Sequence, residues 1–155
     1  MQVKLNRRFQ LTLALIASLA VSSPAALAQQ DAEALVASKR PADMSYRDLM
    51  QMLGRSLTWL QDGIILENKQ LVREGVKVIV NHPAPRHKPW TIMDAVDQDG
   101  FKKSLMTYDK VLDAKADSVA AATEKNDWLQ ASASLAELRA ACISCHAQWR
   151  HKARR

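Results

Sequence analysis

One five-residue run constrains this chain more than any other feature. The two cysteines stand as Cys142-Ile143-Ser144-Cys145-His146, near the end of a long apolar-striped segment. C-x-x-C-H is the attachment sequence for c-type haem. On a helix, residues three and four apart share a face. Cys142 and Cys145 can therefore each add a thiol to one haem vinyl group. His146, four residues after Cys142, projects on the same side and can ligate the iron. A disulfide between the pair would close only a tiny loop and stabilise little. A thioredoxin-like redox pair belongs in a strand-helix context, and a zinc site needs four ligands. These residues therefore imply one covalent haem c. The rivals are a non-haem exported helical protein whose cysteines form a disulfide, and a redox dithiol.

The N-terminus fits that chemistry. Lys4, Arg7 and Arg8 precede an uncharged run from Leu11 to Val21, followed by Pro24 and Ala26-Leu27-Ala28. This is the layout of a secretory signal peptide with a small-x-small cleavage site. The run is short of the about 20 apolar residues that a membrane span requires. The expectation is a signal peptide at 1–28, cleavage after Ala28, export to the periplasm and no stable membrane anchor. Three of the 22 basic residues lie in that segment and none of the 16 acids does, so the cleaved chain is only mildly basic. With mixed signs and no basic patch interleaved with aromatics, a nucleic-acid partner is not expected. No Ser-His-Asp set or phosphate loop argues for an enzyme.

Beyond the signal, the chain reads as all-α: helices at about 45–66, 69–81, from 97 or 101 to 123, and 127–151. Residues 29–44 read as a mobile or weakly helical lead-in to a haem-binding domain at 45–155. Ser45, with Asp48 three positions later, makes a box-like N-terminus. Tyr46, Met50, Leu53, Leu57, Leu60 and Ile64 form an apolar stripe at spacings of three and four. In the second segment V-K-V-I-V could be a strand, but it would lack a partner. Pro83, Pro85 and Pro89 mark a loop over 82–90. Phe101, Leu105, Tyr108, Leu112, Ala116 and Val119 stripe the third helix. Asn126 is expected to cap the fourth, whose stripe holds Trp128, Leu135, Leu138, Cys142, Cys145 and Trp149. Four amphipathic helices with short links make an antiparallel four-helix bundle the default.

At this point the chain resembles the class II c-type cytochromes, the cytochrome c-prime family and its low-spin relatives. The resemblance rests on a single C-x-x-C-H near the C-terminus and on Cys145-His146-Ala147-Gln148-Trp149-Arg150. Tyr46-Arg47, Leu49-Met50 and Gly54-Arg55 also resemble the family's first helix. It implies a four-helix bundle with the haem near one end of the last helix. It further implies Met50 as the sixth iron ligand in a low-spin branch, Arg47 at a haem propionate and Arg150 on the proximal side. In the other branch the sixth position is open. The function implied is electron transfer with a redox partner protein, after passage through the export and cytochrome maturation machinery. The alternative is five-coordinate binding of nitric oxide or carbon monoxide. A homodimer through the first two helices, with Trp59 contributing, is also implied.

Other readings of these residues stay open. Met50 could simply pack in the core, as methionine commonly does. Met52 lies roughly 200° around the helix from Met50. Met93 could line the distal side. His82 and His87 are loop histidines that could reach the iron only if the loop folds inward. Arg47 could be a solvated surface charge, Arg55 is a weaker partner for a propionate, and His151 reads as a solvated helix end.

Overall fold

The structure, a computed structural model, describes residues 24–154, with side chains from residue 31. Residues 1–23 of the expected signal peptide lie outside the described residues. The described chain is mostly helical: α1 (Pro24–Ser38), α2 (Tyr46–Ile65), α3 (Lys69–Val80), α4 (Ala95–Glu124) and α5 (Trp128–Trp149). No described helix is long and apolar enough to cross a membrane.

Local chemistry explains most of the helix ends. At the start of α2 the Ser45 hydroxyl accepts from the Asp48 N–H at 3.1 Å, and the Asp48 carboxylate accepts from the Ser45 N–H at 2.9 Å. This reciprocal box satisfies two donors that a helix start leaves orphaned. The links into α3 and α5 share one device. Glu67 and Asn126 take positive φ, 52° and 57°. The next residue, Asn68 or Asp127, then caps the helix with its side-chain oxygen, accepting from Leu71 N–H or Gln130 N–H. The cap of α5 is thus Asp127 and not the expected Asn126. Asparagine tolerates the left-handed region better than most residues, so it turns the chain while the aspartate caps. The V-K-V-I-V run lies within α3 and is helical.

Helices α2 to α5 share one apolar core. It contains Leu60 and Ile64 of α2, Val72 and Ile79 of α3, Ala116, Val119 and Ala122 of α4, and Ala131, Leu135 and Leu138 of α5. Two glycines allow α2 and α3 to approach closely. A Cβ at Gly75 would stand 2.7 Å from Leu60 Cδ2 and 3.1 Å from Ser56 O, and one at Gly63 would stand 2.7 Å from Val72 Cγ2. Leu60 is fully buried and has little room to yield. Gly75→Ala is therefore expected to lower stability by about 1–2 kcal/mol, overpacking outweighing the gain in helix propensity. A urea midpoint equal to or above wild type would show that the two helices can spread at little cost.

The structure corrects the sequence reading in the lead-in and the proline loop. Residues 29–44 are expected to be mobile or weakly helical, yet they contain most of α1 and a short strand β1 (Pro41–Ala42). β1 pairs in parallel with β2 (Ala84–Pro85), so the described chain holds a minimal two-stranded sheet where none is expected. Pro83 and Pro85 have no N–H to offer. The amides between and after them, Ala84 and Arg86, donate to Arg40 O at 3.0 Å and Ala42 O at 3.2 Å. Alternate residues of a strand use the same edge, so prolines at 83 and 85 leave that pairing intact. A 3-10 turn at Pro89–Ile92 then buries Pro89 and Trp90. The helix expected from 97 or 101 starts earlier, at Ala95.

Candidate haem cleft

The stripes of α2, α4 and α5 change character along their length. At one end they are buried: Leu60 and Ile64, Ala116 and Val119, Leu135 and Leu138. At the other end the same stripes continue as half-buried residues: Met50, Leu53 and Leu57 on α2, Leu105, Tyr108 and Leu112 on α4, and Cys142 and Cys145 on α5. Those half-buried residues line a single cleft of about 1550 Å³. Ordinary small-molecule pockets run to roughly 300–1,000 Å³, so this one has room for a large group. The cleft's apolar base is an aromatic row. Tyr46 meets Phe101 edge-on with centroids 6.0 Å apart, and Phe101 meets Trp149 at 5.4 Å. Gly100 lets the Trp149 ring close in, since a Cβ there would lie 2.9 Å from the indole. The Trp149 Nε1 is buried and has no hydrogen-bond partner among the described residues.

Every site residue expected from the sequence lines this cleft: Cys142, Cys145, His146 and Arg150 from α5 and its cap, and Arg47 and Met50 from α2. His146 is exposed along the cleft, and its imidazole makes no hydrogen bond among the described residues. The two cysteines are free thiols. Burial raises the pKa of Cys142. Burial, with the neighbouring Cys142 charge, pushes Cys145 up to about 11. Both are therefore protonated at neutral pH, the opposite of the lowered pKa that a redox dithiol uses. Arg47 and Arg150 are exposed at the margin, so both guanidinium groups are free to meet an acidic substituent.

The weaker sequence candidates separate. Met52 and Arg55 are not on the cleft wall. Met93 is, but fully buried in the cluster with Trp90, Phe101 and Trp149. His87 is exposed at the cleft. His82 also lines it, with both ring nitrogens already engaged, Nδ1 with Pro83 O at 2.9 Å and Nε2 with Asp109 Oδ1 at 3.3 Å. Several lining residues carry no signal in the sequence reading: Lys39, Asp109, and Ala32, Leu35 and Val36 from α1. The helical spacing of Ala32, Leu35 and Val36 is the one hint that could have found the α1 wall. Among the described residues no group of three or more His, Cys, Asp and Glu is arranged for a metal ion. A haem needs none, since the porphyrin supplies most of the donors and the protein only the axial ones.

The chain matches no model of a known protein family, no curated protein and no solved structure. The likeness to class II cytochromes c thus rests on the residues quoted for it.

Proposed function

We propose that this chain is an exported, periplasmic c-type cytochrome of the class II kind. In this reading α2 to α5 are the four helices of the bundle and α1 is an addition to it. The residues fit one haem. Cys142 and Cys145 would hold it by thioethers, His146 and Met50 would supply the protein's donors to its iron, and Arg47 and Arg150 would meet its propionates. The observation that carries the reading is the cleft. Three apolar stripes leave the core half-buried at one end of the fold, and the whole C-x-x-C-H face lines the space between them. Apolar surface left open in this way favours an apolar occupant.

Bound there, the group would supply a one-electron couple. The chain's own part is to hold the occupant in a fixed place, exclude water with Leu53, Leu57, Leu105 and Leu112, and present donors from two facing helices. Two protein ligands on rigid helices suit electron transfer with a redox partner protein, because little has to move between oxidation states. Maturation would involve the export and haem-attachment machinery. Trp59, 43% exposed on α2, remains available to a homodimer contact.

Intact mass decides the first step. The periplasmic protein should weigh as the chain from about Gln29 plus one haem, and should stain for haem on a denaturing gel. A mature mass without haem, with the two cysteines joined in a disulfide, would overturn the reading.

A further inference from the structure

The segment before α2 is tied across the cleft at several points. Ala32 is 1% exposed, packed in the cluster with Trp90, Met93, Phe101 and Trp149. Lys88 Nζ donates to Glu33 Oε1 at 2.7 Å. Lys39 Nζ lies 2.8 Å from Asp109 Oδ1, and β1 pairs with β2 just beyond. Ala32, Leu35, Val36 and Lys39 all line the cleft. We propose that residues 31–44 form a strap that closes one wall of the cleft, and that Asp109 of α4 is the pin holding this strap and the His82 loop down together.

The geometry at Asp109 is that of a junction. One carboxylate oxygen, Oδ1, takes both Lys39 Nζ from the strap and His82 Nε2 from the loop. Those two segments are also the partners in the β1–β2 pairing, so one α4 side chain anchors both strands. The three side chains are only 13–15% exposed, where salt screens little. His82 Nδ1 lies 2.9 Å from Pro83 O and its Nε2 lies 3.3 Å from Asp109 Oδ1, so the ring bridges the loop backbone and α4. The other titratable groups nearby are the buried Tyr46 phenol of α2 and Asp113, one turn further along α4. Burial alone would raise the Asp109 carboxyl, but hydrogen bonds from His82 and Lys39 outweigh it and hold the group below its usual range. A carboxyl depressed in the folded state contributes stability above its unfolded value, about 3.9, and loses it as pH falls through the folded value. The Asp109 contacts therefore contribute fully at neutral pH and weaken in acid. The strap forms one wall of the cleft whatever fills it.

Asp109→Asn in the full exported chain tests the pin at neutral pH. Amide hydrogen exchange by mass spectrometry should rise about tenfold or more across 39–44 and 84–86, as expected for loss of a local anchor. Exchange in α3 should stay as in wild type. Trypsin should cut after Lys39 faster than in wild type, the Arg40–Pro41 bond itself being resistant. Should Asp109→Asn fail to fold, Lys39→Met is read by the same exchange at 39–44 and 84–86. Unchanged exchange at both segments would overturn the proposal, as would a rise spread equally over α3.

Discussion

Replacing Cys142 and Cys145 together with serine should give an exported chain that carries no covalent pigment and weighs as the bare mature chain. The effect is expected to be all or none. A thioether forms by adding a thiol across a vinyl group, and a serine hydroxyl at the same place does not do so. Both cysteines are half-buried on the cleft wall, and serine is close in size, so the cleft should keep its shape. Each single variant should retain one thioether, at reduced yield. The rival readings of the pair give different results. A structural disulfide would show in wild type as the loss of two hydrogens, with no visible absorbance for the variant to abolish. A dithiol redox couple would show thiolate reactivity near neutral pH, whereas burial raises the pKa of Cys142 and pushes that of Cys145 up to about 11. Haem staining, the visible spectrum and intact mass of wild type and variant together separate the three.

What the sequence made legible was decided by short-range chemistry. Ser45 and Asp48 close a capping box within four residues, so the start of α2 could be read without the rest of the fold. The stripes of α2, α4 and α5 are also local, since they depend only on helical spacing. Their split into a buried half and a cleft-lining half is not. It depends on how far the facing helices close on each other, and no residue in a single stripe records that. The strap was missed for a related reason. Ala32, Leu35 and Val36 make too short a stripe to be a confident helix alone, and the surfaces that bury it come from Trp90, Met93, Phe101 and Trp149. The Lys39, His82 and Asp109 junction draws on three separate segments. Asn126 and Asp127 are both good caps, and which one acts is set by the turn geometry between α4 and α5.

Met50→Ala should convert the protein from a low-spin, gas-resistant state to a high-spin one that binds carbon monoxide readily, with a shifted reduction potential. Met50 is half-buried on the α2 wall of the cleft that His146 lines from α5, so the two donors come from separate helices onto one space. A thioether ligand raises the potential relative to more basic ligands, and its loss opens an axial position. The stability cost should be modest. Truncating a fully buried methionine costs about 2–5 kcal/mol, and Met50 is only partly enclosed. The competing donors are poorly placed to compensate. Met52 is off the cleft, and Met93 is 1% exposed and packed among Trp90, Phe101 and Trp149. His82 has both ring nitrogens engaged by Pro83 and Asp109. His87 is exposed at the cleft and is the one unengaged imidazole there besides His146 and His151. A variant that stays low-spin would therefore point to His87, and the double variant with His87→Ala would then open the site. Spectra of the reduced protein and carbon monoxide binding rates decide among these outcomes. Should wild type already be high-spin and bind the gas at once, Met50 is not a ligand. The electron-transfer reading then gives way to a five-coordinate protein that binds nitric oxide or carbon monoxide, with the half-buried Met50 and Leu53 shielding the open position.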